Sequence, residues 1–228
     1  MQNLFEDLSK FRKNIKIITE YDEIKNLITD EWYMILSQEN SSEKLNMLID
    51  LWEKICGKEL FQTINYLRKN MKDIYVLKTG DEYSIIYCIK MRNGEIDYYE
   101  GKFPVISEEK NNSKKIIEDF PTSIQLFYKV LHNGFYYYPS HAMGMLEIER
   151  VKCLNEDEWG IIDVLEKPLK IKMDTSFSFF STGMGGYVVK DFSDNNSSQG
   201  IVWFANREPL YDRNFWNIID EWIVLGFE

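Results

Sequence analysis

FPTSIQLFYKVLHNGFYYYP, residues 120–139, places a helix, its stop and the start of a sheet within twenty residues. Pro121 suits a first helical turn, where its missing N–H leaves nothing unpaired. Ile124, Phe127, Tyr128 and Leu131 then recur at helical spacing. Asn133-Gly134 supplies a residue able to take the left-handed conformation that ends a helix. Four aromatics follow, Phe135 to Tyr138, before Pro139. An extended chain sends successive side chains to opposite faces, so alternate rings pack under the sheet while the others look outward. Tyr136 and Tyr138 are the expected outward pair, rigid and amphipathic enough to serve as contact residues.

Upstream of this stretch, residues 2–70 read as three or four helices. Leu4, Leu8 and Phe11, then Ile24, Leu27 and Ile28, then Leu45, Leu48, Ile49, Trp52 and Ile55 keep three- and four-residue steps. Ser41 and Ser42 are the expected cap of the third group, and Gly57 its stop or bend. From Ile74 to Val105 the period changes. Thr79-Gly80-Asp81 and Asn93-Gly94 punctuate runs of β-branched and aromatic residues, which predicts a three-stranded antiparallel meander. SEEKNNSKK, residues 107–115, has no apolar anchor and marks an exposed boundary. Downstream, short strands are expected within 146–153, a helical turn within 157–165, strands at 176–180, 187–192 and 201–204, and a closing helix in NFWNIIDEWIVLGFE, residues 214–228. The fold class is α+β, a mixed or antiparallel sheet packed with helices. Residues 1–106 form a helical and hairpin extension, as an annex or as part of the same core, and residues 107–228 the second unit.

The chain's net charge is −10, and residues 117–228 carry 9 basic against 17 acidic groups while residues 1–116 carry 18 against 20. An acidic field repels phosphate backbones and draws basic partners, so direct nucleic-acid binding is not expected. No apolar run approaches the roughly 20 residues of a spanning helix, and no membrane partner is expected. The amino terminus has no secretory-signal pattern, and Cys56, Cys88 and Cys153 are odd in number and scattered, as in a reduced cytoplasmic protein.

No catalytic constellation emerges. His132, His141 and Cys153 fit no standard zinc spacing, no cysteine has a histidine partner signalled in sequence, and STGMGG, residues 181–186, lacks the Lys-Ser/Thr that completes a phosphate loop. These residues read as helix-end, packing and turn residues, with no cofactor and no metal. Glu156, Asp157 and Glu158 beside Trp159 read either as an acidic helix start or as a contact centre for an Arg- or Lys-rich face. Asp194 and Asn195 form a second acidic turn with the same two readings.

The quoted stretch resembles the hallmark of the SUKH superfamily, the Smi/Knr-type domains, in which a proline-led helix runs into Asn-Gly ahead of the sheet. FSFFSTGMGGYVVKDFSDNNSSQGIVWF, residues 177–204, is similar to that family's segment of strand, glycine turn, strand, Asp, loop, Gly and strand, and NFWNIIDEWI to its closing helix. Pro121, Phe127, Asn133, Gly134, Gly185, Asp191, Gly200 and Trp203 are the matching positions, covering roughly residues 115–228, while the region before residue 107 has no match. The resemblance implies a non-catalytic bacterial immunity protein that binds and neutralises a cognate toxin, with nucleases a frequent target. The alternative within the superfamily is a regulatory scaffold for a host protein. A monomer or weak dimer is expected.

Overall fold

Helix gives way to sheet at Met71, three residues ahead of the change of period at Ile74. The computed structural model describes residues 2–105, 117–193 and 198–228. In chain order come α1 (Gln2–Ser9), β1 (Ile15–Ile18), a 3-10 turn at Tyr21–Leu27, α2 (Asp30–Leu36), α3 (Ser41–Cys56) and α4 (Phe61–Asn70). The predicted meander follows as β2 (Met71–Thr79), β3 (Glu82–Lys90) and β4 (Ile96–Lys102). Gly80 and Gly94 take φ of 61° and 90° at its two turns, the left-handed region that a side chain disfavours.

Two expectations fail in the first seventy residues. Ile15–Ile18 is a strand, paired antiparallel to β2 from Ile15↔Thr79 to Ile18↔Val76. Three β-branched side chains in four residues suit a sheet edge better than a helix. The cap of α3 is Asn40, whose Oδ1 accepts from the amides of Ser42 and Glu43, and neither expected serine fills that role.

The quoted stretch forms α5 (Thr122–Leu126) and then widens to a π-turn at Phe127–Leu131, closed by the His132 amide donating to the Phe127 carbonyl at 2.8 Å. Pro121 caps it from an extended conformation. His132 is already extended, so the left-handed Gly134, at φ 87°, turns the chain three residues beyond Leu131, the last of the π-turn. The remaining elements are β5 (Phe135–Tyr137), β6 (Gly144–Met145), β7 (Lys152–Cys153), β8 (Ser176–Ser181), β9 (Gly186–Asp191), β10 (Gln199–Phe204), β11 (Arg207–Asn214) and α6 (Phe215–Gly226), with short 3-10 turns between β6 and β8. The exposed boundary expected at 107–115 lies outside the described residues.

The described strands make one antiparallel sheet in the order β1-β2-β3-β4-β5-β6-β8-β9-β10-β11, with β7 pairing β8. The fold is α+β. Alternation along the strands fills both faces. Val76, Ile85, Tyr87, Ile89, Tyr99, Phe135, Val188 and Val202 join the helices in the main core. On the opposite face Leu77, Ile86, Cys88, Tyr98 and Tyr138 pack under Leu4 and Leu8 of α1. Val189, Ile201 and Trp203 pack there against Leu154, Trp159, Leu169 and Ile171. The main core takes residues from both sides of position 107.

Two polar devices lie inside this core. Trp52 Nε1 donates to the Tyr87 hydroxyl at 3.0 Å, that hydroxyl lies 2.6 Å from His132 Nε2, and His132 Nδ1 lies 3.0 Å from the Lys102 carbonyl. A carbonyl only accepts, so Nδ1 carries the proton, Nε2 accepts from Tyr87, and the imidazole is neutral. A β-carbon on Gly101 would fall 2.5 Å from this ring, which is why β4 carries glycine there. The second device is Asp220 of α6, whose carboxylate accepts from the amides of Gln62 (2.9 Å) and Thr63 (2.8 Å) at the start of α4. The cap residue Leu60 offers no side-chain acceptor of its own. A buried carboxylate 157 residues further along the chain therefore satisfies that helix's open end.

Asp220→Ala leaves both amides without an acceptor, and the unfolding free energy is expected to fall by about 2 kcal/mol. The measurement is urea unfolding, with a lower midpoint at unchanged slope.

Candidate functional site

The register of the central strands explains why charges gather on the α1 face. Ser84 sits opposite Lys102, Ile86 opposite Glu100, and Glu100 opposite Tyr136. Where α1 covers this face the residues are apolar; beyond it they are Ser84, Glu100, Lys102 and Tyr136. Arg12, in the connection from α1 to β1, brings its guanidinium to 2.6 Å from Glu100 Oε2 and holds it 4.3 Å from the centre of the Tyr138 ring. Glu100 is only 2% exposed, so an unpaired charge there would cost several kcal/mol.

Glu147, just after β6, is the hub of the second group. Its Oε1 accepts from the Tyr136 hydroxyl (3.0 Å) and faces His141 Nε2 (3.0 Å), while Oε2 lies 3.0 Å from Lys102 Nζ. Lys102 also reaches Glu82 at 2.8 Å. His141 stacks on Tyr136 with ring centres 4.1 Å apart and takes a φ of 51° to do so. Burial by itself would raise the Glu147 carboxyl, but His141, Lys102 and Tyr136 overcome it and bring it down to about 2. Burial and the neighbouring carboxylates Glu100 and Glu147 push the Tyr136 phenol well above its ordinary range. Beside this network lie two adjoining cavities of about 440 and 220 Å³, which share Glu82, Tyr83 and Lys102 in their walls.

The expected contact tyrosines are placed differently. Tyr136 and Tyr138 are both buried, the first on Glu147 and the second donating to the Leu8 carbonyl beneath α1. Alternation does send them to one face of the sheet, but α1 and the ion-pair network occupy that face. Phe135 packs in the main core, and Tyr137, half-buried, donates to Asp97. Glu156, Asp157 and Glu158 are exposed. They do not begin an α-helix: a 3-10 turn ends at Glu156, and Asp157 is extended, 3.2 Å from Lys152. Trp159 anchors them, its Nε1 donating to the Leu154 carbonyl at 2.8 Å and its ring standing edge-on to Trp203. Asp194 and Asn195 lie outside the described residues.

The arrangement sets paired charges beside two cavities. Burial pushes the Cys88 thiol up to about 12 and raises Cys56 as well, so neither is a ready thiolate. Among the described residues, no group of three or more His, Cys, Asp or Glu is placed to hold a metal ion. The glycine turn between β8 and β9 spends its amides internally: Gly183 donates to Ser181 Oγ, and Met184 and Gly186 to Thr182 Oγ1. Among the described residues, no helix is long and apolar enough to cross a membrane.

Sequence reasoning missed Arg12, Glu100, Lys102 and Glu147. Tyr98, Glu100 and Lys102 occupy alternate positions of one strand, and a carboxylate at an inward position demands a buried cation. That demand was legible; the cation that answers it was not. Comparisons of the chain with protein-family models, with curated proteins and with solved structures find no match.

Acid unfolding is expected in two stages. Burial holds the His132 imidazole at about 3, far below its ordinary 6.5. The unfolded chain therefore takes up the proton first, and stability present above pH 6.5 drains away as pH falls towards 3, at up to about 1.4 kcal/mol per pH unit. Glu147, together with Asp7 and Asp191, which are also held below their ordinary values, adds a second loss as pH falls below the ordinary carboxylate range. Chemical denaturation at a series of pH values is expected to show H132Q flattening only the upper stage and E147Q softening only the lower.

Proposed function

We propose that this chain is a cytoplasmic immunity protein of the SUKH type, without catalytic activity of its own. It neutralises a cognate bacterial toxin, with a nuclease as the class its charge best suits, by docking on the toxin domain and occluding its substrate channel. The observation that carries this reading is the acidic run Glu156–Glu158, exposed yet tied down through Trp159 to the Leu154 carbonyl and the Trp203 ring. A fixed set of carboxylates loses little freedom when it meets a cationic face, and it speeds encounter at low salt. The excess of acidic groups in residues 117–228 works in the same direction. Support for a non-catalytic role comes from the polar network, whose Arg12, Lys102 and Glu147 are engaged with one another or with neighbouring side chains.

The test is co-expression with the polypeptide encoded beside this chain's gene. Growth rescue and co-purification are expected if that polypeptide is the toxin; failure of both overturns the reading. Within a complex so obtained, Asp157→Lys with Glu158→Lys is expected to slow association about tenfold at low salt and to reduce its salt dependence. Stopped-flow rates unchanged at low salt would remove the run from the interface.

A further inference from the structure

The paired cavities beside the ion-pair network have one apolar wall and one charged end. Leu27, Phe103 and Pro104 line the larger, and Arg12, Ser84 and Glu100 the smaller. The two meet at Glu82, Tyr83 and Lys102. Around them the carboxylates Glu82, Glu100, Glu147 and Glu149 outnumber the cations Arg12 and Lys102 by two. In a recess partly shielded from water, that surplus attracts cations and repels phosphates and carboxylates.

Three hydrogen-bonding groups remain for such a cation. Ser84 is 4% exposed and lines the smaller cavity, and its hydroxyl makes no hydrogen bond among the described residues. Thr79 lines the same cavity, and its buried hydroxyl has no hydrogen-bond partner among the described residues, a costly state that points to an occupant. Glu82 meets Lys102 through Oε2 alone, leaving Oε1 without a partner among the described residues. These acceptors lie at the charged end, beyond the apolar wall.

We propose that this cleft receives one arginine side chain from the protein partner, its alkyl stem along Leu27, Phe103 and Pro104 and its guanidinium on Glu82 and Ser84. The proposal rests on the protein-binding reading above and names what the partner must present. A guanidinium is favoured over an ammonium because its planar fork meets a carboxylate and a neighbouring hydroxyl together, and because it leaves water more readily. A bare divalent ion is disfavoured, since the carboxylates do not converge as a ligand set. The snorkelling geometry of a long cationic side chain matches a wall that is apolar at one end and charged at the other.

The test uses the full chain and Nα-acetyl-arginine methylamide as probe, with the lysine analogue and acetate as comparators, followed by amide chemical shifts. Saturable shifts at Tyr83, Ser84 and Lys102 are expected, with the arginine probe binding about tenfold more tightly than the lysine probe. E82Q, at an exposed position that tolerates change, and S84A are each expected to weaken the arginine probe by about fivefold or more. Absence of saturation at millimolar probe, equal response to acetate, or insensitivity to both variants would overturn the proposal. Saturable arginine binding with no complex formed by the neighbouring gene product upholds the cleft and sinks the toxin reading. A complex whose affinity is unmoved by E82Q and S84A but lowered by the Asp157 and Glu158 reversals sinks the cleft alone.

Discussion

A neutral imidazole buried between a helix and a sheet fixes the centre of this molecule. His132 ends the π-turn, reaches α3 and β3 through Tyr87 and Trp52, and returns its own proton to the carbonyl of Lys102 on β4. Every member has its partner, so the chain of bonds tolerates complete burial, and a core polar group so placed admits few alternative packings. Gly101 completes the arrangement by making room for the ring. The same carbonyl belongs to the residue whose ammonium joins Glu82 and Glu147 on the opposite face, so the core and the charged cleft are built on one strand position.

Continuity follows from two long-range contacts of different kinds. Backbone pairing of β4 with β5 carries the sheet across from the first segment to the second, and Asp220 on the final helix caps α4 in the first. A sheet whose faces both carry apolar residues needs cover on both. The main helices supply one cover, while α1 and the 154–173 segment supply the other. The Arg12–Glu100 and Lys102–Glu147 pairs lie where neither of the latter two reaches. The polar cleft is thus a consequence of incomplete cover on one face.

Periodicity found the elements whose own residues dictate them. The meander, the strands near 176, 187 and 201 and the closing helix all follow local alternation or helical spacing, and the turns at Gly80 and Gly94 follow from glycine's freedom at positive φ. It failed at β1, four residues long, and at β11, where Arg207–Asn214 mixes charges with Pro209 as edge strands do. It failed again at Tyr136 and Tyr138. Alternation separates two faces but does not say which is covered, and cover here comes from a helix more than a hundred residues away in sequence.

Composition, period and turn chemistry determined the α+β class, the order of the principal elements and the exposed acidic run, because each depends on neighbours within a few residues. Only the tertiary structure decided that Arg12 answers Glu100, that Glu147 gathers Tyr136, His141 and Lys102, and that Asp220 caps a helix 157 residues before it. Those pairings are set by where strands and helices come to rest, and an ion pair between distant segments leaves no period in the sequence to be read.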